Sequence, residues 1–504
     1  MKRKILSVLA AAAVLIALTV SGAPAQDWPT FHHDPALSGY TDSTAPDTSY
    51  LLWTYDTGAP VFSSPAVADG ILYIGSLAGN LYALNANTGS LIWSYAARGE
   101  IRSSPAVAEG KVYFLSTDGV FHAVDAATGG LVWSVGGMGG PWSWSSPAVH
   151  DGRVFVAASN GWVHSLDAAT GAPAWSTFIG ANPNGPIAVA NGKVYSGTHN
   201  MDASNPTLVA LDEVTGAVVW IYDHIAWHPP TVGMINSNGV AVVDGDEDGD
   251  LEVYFGIVTW EGTGNEAIAL DEATGAEIWT QNLKGWSTST PAVHNGRVYM
   301  GSDDHNIYAL DAETGDYVWS FPTGAAVWSA PAVADGKVFA GSLDHTLYAL
   351  DEATGDLIWS YYTSVSRIWG SPAVADGKVF VGSENGKVYA FGPINADIDI
   401  KPGSYPNSIN VEDKGVIAVA ILTTEDFDAT TVDADTVRFG PAAAEKVHTQ
   451  AHVEDADDDG DLDLVLHFRT RATGIESGDT EACLIGQTFD DVPIIGCDSV
   501  RTVP

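Results

Sequence analysis

The chain has 504 residues and a formal net charge of −41 at pH 7, because 62 acidic residues outnumber 21 basic ones. This balance argues against nucleic acid and anionic lipid as partners, since both are polyanions. Hydrophobic residues make up 46% of the chain and Trp occurs 17 times, which is typical of a folded protein rather than a disordered one. The acidity suits solubility in high salt and cation binding equally well, so both interpretations stay open.

The first 25 residues have the pattern of a secretory signal peptide. Basic residues at 2–4 precede an apolar run over 5–20, and Ala23-Pro24-Ala25 offers small residues at the cleavage positions. We therefore predict cleavage after Ala25 and a mature chain that is secreted, extracellular or periplasmic. No later segment has the apolar length of a membrane span, so none is expected.

A ten-residue phrase, L-D-x-x-T-G-x-x-x-W, recurs along most of the chain. Its seven copies end at Trp93, Trp133, Trp175, Trp220, Trp279, Trp319 and Trp359. A period of about 40 residues with Gly-rich turns is typical of a propeller of four-stranded units. A second phrase, usually S-P-A-V-x-x-G, occurs eight times if a weak copy near Pro230 is included. The two phrases together predict an all-β fold with an eight-bladed β-propeller.

The second copy shows the four strands expected in each blade. They are a small-residue inner strand at 104–108, apolar and alternating strands at 112–115 and 121–124, and an outer strand at 131–133, separated by turns. The last copy lacks an outer strand of its own. We predict that Leu52–Tyr55 supplies it and closes the ring, which would remove a free sheet edge.

The D-x-x-T-G-x-x-x-W phrase resembles the tryptophan-docking motif of pyrroloquinoline quinone (PQQ) repeat propellers. That family includes quinoprotein alcohol dehydrogenases and the outer-membrane assembly lipoprotein of Gram-negative bacteria. The opening segment from Asp27 to Gly39 also resembles the lead-in of secreted members. The resemblance implies that each repeat Trp packs between neighbouring blades. We assign 1–25 to the signal peptide, 26–393 to the propeller and 394–504 to a small acidic C-terminal β-sandwich-like domain.

The resemblance specifies the fold better than the function. Quinoprotein dehydrogenases hold PQQ and Ca²⁺ at the propeller axis, with an Asp as base and, in many, a disulfide between adjacent Cys. This chain has no adjacent Cys pair, and its motifs assign no axial Asp. We therefore expect a monomeric, non-catalytic binding or scaffolding protein with no catalytic residues and without PQQ. The alternative is a PQQ- and Ca²⁺-dependent dehydrogenase, or another enzyme that uses the axial funnel.

One position in each repeat should line a mouth of the central channel. It lies three residues before the inner-strand Pro, and repeat symmetry places its copies at equal height around the axis. The candidates for ligand binding at this position are Phe62, Arg102, Trp144, Trp227, Trp328 and Trp369. Such an aromatic collar could stack on a sugar, a quinone or a peptide side chain, and Arg102 could pair with an acidic group. The partner is then a protein or carbohydrate on a propeller face; the alternative is that these side chains fill gaps between blades.

Two acidic loops have the spacing of structural calcium sites. In each, carboxylates alternate along the chain and a Gly at the sixth position allows a sharp turn. The predicted ligands are Asp244, Asp246, Asp248, Asp250 and Glu252 in one loop and Asp455, Asp457, Asp459, Asp461 and Asp463 in the other. Strand-like runs follow both loops, so neither is an EF-hand; the ninth residue would supply the closing carboxylate.

Few other residues suggest chemistry. Cys483 and Cys497 most simply form one disulfide, which would stabilise the fold by about 3 kcal/mol, with two free thiols as the alternative. His32 and His33 belong to the lead-in and are expected on a lid or on the surface rather than in a metal site. The run Asp399–Gly403 resembles a C-terminal module of exported proteins, which implies little about function.

Overall fold

A computed structural model describes residues 27–503, apart from 141–143, 181–182, 184, 201–206, 225–234, 237–238, 258–264, 288, 425–426, 448–450, 458 and 491. The predicted signal peptide therefore lies outside the described residues. Those residues form β-strands and two short 3₁₀ helices, Ala429–Thr431 and Thr470–Ala472. The prediction of an all-β fold is confirmed.

The repeats fold into four-stranded antiparallel sheets, which we number as blades in chain order. The strands of blades 1 to 4 are Ala66–Ala68, Ile71–Gly75, Asn80–Asn85 and Leu91–Ala96; Ala106–Ala108, Lys111–Ser116, Val120–Asp125 and Leu131–Gly136; Ala148–His150, Arg153–Ala158, Trp162–Asp167 and Pro173–Phe178; Ala188–Ala190, Lys193–Gly197, Leu208–Asp212 and Val218–Tyr222. Those of blades 5 to 8 are Val240–Val243, Glu252–Ile257, Glu266–Asp271 and Glu277–Asn282; Ala292–His294, Arg297–Gly301, Asn306–Asp311 and Tyr317–Pro322; Ala332–Ala334, Lys337–Gly341, Thr346–Asp351 and Leu357–Tyr362; Ala373–Ala375, Lys378–Gly382, Lys387–Phe391 and Leu51–Asp56. A two-stranded ribbon pairs His199–Asn200 with Ile235–Asn236.

The sheets are arranged as a ring around a central channel. Each inner strand contacts the inner strands of both neighbouring sheets, and that of blade 8 contacts that of blade 1. The outer strand of blade 8 is Leu51–Asp56, which pairs antiparallel with Lys387–Phe391. The predicted ring closure by the N-terminal segment is therefore confirmed. These sheets are those of a β-propeller, with buried apolar side chains of neighbouring sheets packed into common clusters.

The outer-strand tryptophans lock each blade to the next. Trp93 donates its indole N–H to the carbonyl of Ala126 in blade 2 at 2.9 Å, and its ring covers Gly129. The same bond is made by the other repeat tryptophans and by Trp53, at 2.8 to 3.1 Å. The indole N–H of Trp359 in blade 7 donates to the carbonyl oxygen of Pro46 instead of to a carbonyl in a repeat turn, because the N-terminal chain completes blade 8. The wedge role implied by the family resemblance is thus observed.

The lead-in, residues 28–41, runs inside the ring along the free edges of the inner strands. Six inner-strand amides donate to its carbonyls at 2.6 to 2.9 Å. The amides are those of Val67, Val107, Val189, Val242, Val293 and Val333, and their acceptors belong to Trp28, Pro29, Pro35, Ala36, Ser38 and Gly39. Tyr40–Thr41 then adds a parallel strand to blade 7. The lead-in therefore lines the channel and satisfies backbone groups that would otherwise face it.

The chain after Phe391 forms smaller sheets with a core of their own. One contains Ile394–Asn395, Arg438–Phe439, Ala444–Glu445, Glu481–Gln487 and Pro493–Ser499; another contains Ile398–Ile400, Val416–Ile421, His452–Glu454 and Asp463–Arg469; Ser408–Asn410 pairs with Arg501–Val503. Between the two larger sheets lie buried apolar side chains, among them Val419, Phe439 and Phe468. Cys483 and Cys497 are opposite each other on neighbouring strands and form the predicted disulfide.

Candidate functional site at the mouth of the propeller

Five of the six predicted collar residues form one cluster, which we call the aromatic mouth. The Phe62 ring stacks on Trp369 with centroids 5.0 Å apart and on Trp144 at 5.9 Å. Trp328 meets Trp369 edge to face at 4.7 Å. The Arg102 guanidinium lies over the Trp144 ring, 4.8 Å from its centroid. Residues far apart in sequence therefore meet because each precedes the inner strand of its own blade.

The stacking of Phe62 on Trp144 determines the shape of the mouth. These residues belong to blades 1 and 3, so their contact passes in front of blade 2. The rings thus pack on one another, while all five side chains stay only partly buried. Trp227 lies outside the described residues.

Polar groups tie the aromatic mouth to the blades. Arg102 pairs with Glu100, with Nη2 2.7 Å from the carboxylate. The Trp328 indole donates to the carboxylate of Asp303, in a turn of blade 6. Burial raises the pKa of Asp303 above its ordinary value, and the hydrogen bond from Trp328 opposes that shift. The Trp369 N–H is buried and has no acceptor among the described residues. The mouth thus holds a cation, a carboxylate and an unused donor beside the rings.

Asp303 was not predicted as part of the site. In blades 1 and 7 the equivalent turn position is Leu77 or Leu343. Blades 2, 3 and 8 have Thr117, Ser159 and Glu384 there, so a polar residue at this position carries no signal that would have identified Asp303. Sequence spacing alone does not show that this turn reaches the mouth position of the next blade.

The lead-in contributes a buried histidine to the channel. His32 is 1% exposed; its Nε2 lies 2.8 Å from the carbonyl oxygen of Pro331 and its Nδ1 lies 3.0 Å from that of Leu37. Burial lowers its pKa below the ordinary value. The expectation of a lid or surface position was wrong for His32, because the segment enters the ring instead of covering it.

A serine, a histidine and an aspartate meet in blade 2 without forming a nucleophile. Ser116 Oγ is 3.1 Å from His122 Nε2, but it donates to Asp118 at 2.5 Å, so the aspartate does not orient the histidine. Ser116 is fully buried, and burial lowers the pKa of His122 to about 4. These groups join neighbouring strands of blade 2, with the Ser116 hydroxyl buried away from solvent.

The first acidic loop replaces the tight inner hairpin turn of blade 5. Carboxylate oxygens of Asp244, Asp246 and Asp248 lie within 4.8 Å of one another. Asp250 is exposed on the outside of the loop. Glu252 is buried instead, where it accepts from the Gly245 amide at 2.9 Å and from Tyr254 at 3.1 Å. The structure thus gathers three of the five predicted ligands, with Glu252 bracing the loop.

The second acidic loop has the same internal hydrogen bonds. The first aspartate accepts from the sixth-position glycine at 3.1 Å in both loops, Asp244 from Gly249 and Asp455 from Gly460. Here Asp455, Asp457 and Asp463 lie within 4.8 Å of one another. The gathered group in this loop includes the ninth residue, Asp463. Asp459 and Asp461 stay outside it, as does Asp250 in the first loop.

Comparison with known proteins shows which family has this architecture. The family model described as outer membrane protein assembly factor BamB matches residues 40–142, 117–255 and 264–419, which is more than half of the chain. The chain belongs to this family. As a BamB-family propeller it has the PQQ-type repeats that its docking motif resembles. No curated protein sequence matches it.

Solved structures similar to this BamB-family propeller include enzymes and a BamB protein. Quinohemoprotein alcohol dehydrogenase from Comamonas testosteroni is 20% identical with a TM-score of 0.61, over 73% of this chain and 80% of that one. A europium-containing methanol dehydrogenase is 16% identical with a TM-score of 0.60, over 73% and 98%. BamB from Moraxella catarrhalis is 19% identical with a TM-score of 0.55, over 68% and 99%. At these identities the likeness shows a common fold. Within the described part of the chain, no helix has the length and apolar character needed to cross a membrane.

Proposed function

We propose that this protein is an exported, non-catalytic propeller that binds or scaffolds a partner on its face. The observation that carries the proposal is that a segment of the protein's own chain lines the central channel. The lead-in bonds to six inner strands within the channel, and the rings of Phe62, Trp144 and Trp369 pack together at the mouth. A dehydrogenase of the PQQ type works in an axial funnel, and these contacts favour surface binding instead. The family description, an assembly factor, also supports a scaffolding role.

The aromatic mouth is the proposed contact surface. Partly exposed indole rings offer flat apolar area at low entropic cost, which suits a sugar face or a peptide side chain. Arg102 can pair with an acidic group of the partner, because its guanidinium lies at the rim over Trp144.

Calcium is the proposed structural ion in both acidic loops. Three carboxylates close together repel one another, and Ca²⁺ prefers oxygen ligands of this kind. The residues present fit the ion: Asp244, Asp246 and Asp248 in blade 5, and Asp455 with Asp457 and Asp463 in the C-terminal region. The proposed division into a signal peptide, a propeller to residue 393 and a C-terminal β domain completes the assignment.

Two experiments test the proposal. Purified protein mixed with PQQ and Ca²⁺ should show no quinone absorbance after gel filtration, whereas retained quinone would support the dehydrogenase alternative. The double substitution Trp144→Ala and Trp369→Ala should abolish fluorescence quenching by uronic-acid oligosaccharides or acidic peptides that quench the wild type. Trp162→Ala, which removes a surface indole in blade 3, is the matched control. Equal binding by the double variant would exclude the mouth.

A further inference from the structure

A second group of metal-binding side chains lies where blade 3 meets blade 4. Ligand atoms of His150, Asp151 and Glu213 are within 4.8 Å of one another. His150 and Asp151 belong to the inner hairpin of blade 3, and Glu213 follows the third strand of blade 4. Glu213 is 7% exposed, and its carboxylate is 2.7 Å from His150 Nδ1. The three side chains therefore join two blades at one point.

The contacts between blades 4 and 5 and between blades 6 and 7 also have a buried glutamate at the position of Glu213. Glu272 and Glu352 occupy the place of Glu213, and both are buried. Each carboxylate accepts hydrogen bonds from three side chains of the preceding blade: Asn191, Lys193 and Tyr195 for Glu272, and His294, Asn295 and Tyr299 for Glu352. Burial alone would raise the pKa of Glu352, but the bonds from His294, Tyr299 and Asn295 hold it below its usual value. A buried glutamate at this position is thus normally surrounded by donors.

Glu213 lacks two of these donors. The tyrosine position is Phe155 in blade 3, and the asparagine position is Asp151. Arg153 does not compensate, because its guanidinium donates to the main-chain oxygens of Glu213 and Val214 at 3.2 and 2.9 Å. His150 is left as the one side-chain donor to the Glu213 carboxylate among the described residues, with a second carboxylate beside it. An added cation would balance this arrangement.

We propose that His150, Asp151 and Glu213 bind a divalent transition-metal ion of the Zn²⁺ class, which clamps blade 3 to blade 4. One imidazole nitrogen with two carboxylates matches the ligands of such ions, whereas Ca²⁺ takes oxygen ligands only. The ion takes the place of the hydrogen bond between His150 Nδ1 and Glu213, and the neutral imidazole would bind it through Nδ1 while carrying its own proton on Nε2. The site is separate from the acidic loops and from the aromatic mouth.

The chain contains its own control for this site. The inner hairpins of blades 3 and 6, at 148–154 and 292–298, differ in sequence at one interior position, Asp151 against Asn295. Asp151→Asn therefore gives blade 3 a turn that blade 6 already uses, at a positive φ that Asn tolerates well. The reciprocal pair, Asn295→Asp with Tyr299→Phe, gives the contact between blades 6 and 7 the side chains found between blades 3 and 4.

Calorimetric titration of the full chain with Zn²⁺, at saturating Ca²⁺ so that the acidic loops are occupied, tests the proposal. We expect one Zn²⁺ site in the wild type, at least ~10-fold weaker binding in Asp151→Asn, and a second site in the reciprocal double variant. Undiminished Zn²⁺ binding by Asp151→Asn, or no wild-type binding beside Ca²⁺, would overturn the proposal. Unchanged melting temperatures without Zn²⁺ establish that the variants are folded.

Discussion

At the scale of single residues, the docking motif depends on a glycine that touches a tryptophan. Gly129 has a φ of +70°, and a Cβ there would come within 2.6 Å of the Trp93 ring. Gly110, in the same blade, has the same φ of +70° but no atom within 4 Å of its Cβ position. We expect Gly129→Ala to destabilise the protein by roughly 2–4 kcal/mol and Gly110→Ala by about 1 kcal/mol, because only the first adds overpacking to backbone strain. Chemical unfolding of both variants measures the difference; equal losses would mean that the tryptophan contact contributes nothing.

A buried lysine makes the stability of the protein depend on pH. Lys378 in blade 8 is 1% exposed, and its ammonium donates to the carbonyl oxygen of Asp376. Burial lowers its pKa to about 8. Between pH 8 and about 10.5 the unfolded chain therefore binds more protons than the folded protein, so the free energy of unfolding rises with pH across that window. Below pH 8 the lysine is charged in both states, and the cost of burying its charge is constant.

Removing that charge should stabilise the protein. We expect Lys378→Met to raise the free energy of unfolding by about 2 kcal/mol at pH 7 and to have little effect above about pH 10, where the folded lysine is neutral. Lys337→Met is the control, because Lys337 occupies the same repeat position in blade 7 but is paired with Asp47 and Asp335 at 2.9 Å. The Lys337→Met substitution should destabilise the protein, because it removes both of these ion pairs. Urea unfolding at both pH values measures these effects, and a pH-independent gain for Lys378→Met would contradict the argument.

At the scale of elements, the sequence predicts what repeats and misses what does not. The strands, turns and docking tryptophans recur, so each copy supports the others, and the closing strand Leu51–Asp56 could be predicted because blade 8 lacked one. The path of residues 28–41 could not, since its bonds to six blades are made by main-chain carbonyls that carry no side-chain signature. Asp303 was missed for a related reason, because its contact with Trp328 crosses between blades.

The acidic loops are elements whose shape should depend on a bound ion. Removing Ca²⁺ with a chelator should lower the melting temperature, since Ca²⁺ at about 100 times its Kd stabilises a one-site protein by about 3 kcal/mol. Asp246→Asn and Asp457→Asn should each remove part of that shift, because each deletes a charge from a gathered group. Asp69→Asn, in the ordinary inner hairpin turn of blade 1, should leave it unchanged. A melting temperature that does not respond to Ca²⁺ would exclude the loops as calcium sites.

At the scale of the whole molecule, the N-terminal segment connects parts of the ring that the repeats leave separate. Residues 28–41 bond to blades 1, 2, 4, 5, 6 and 7, and residues 51–56 complete blade 8. The pairing of blade 8 with residues 51–56 and the lead-in bonds to blades 4 to 7 are distant in sequence, so loop-closure entropy opposes them. Sequence reasoning found the closing strand but not the second role of the N-terminal segment, which is to line the channel.

A chain that begins at residue 42 should keep its closing strand but lose the lead-in. Six inner-strand amides would then lack their partners, at a cost of about 1 kcal/mol for each hydrogen bond. We expect a lower melting temperature and faster hydrogen exchange at Val107, Val242 and Val293 among these amides. The amides of Val149 and Val374, in the inner strands of blades 3 and 8, donate no hydrogen bond to the lead-in and serve as internal controls. Exchange measured by mass spectrometry would contradict the proposed role if all eight inner strands responded alike, because a general loosening of the ring does not distinguish strands that the lead-in touches from those that it passes by.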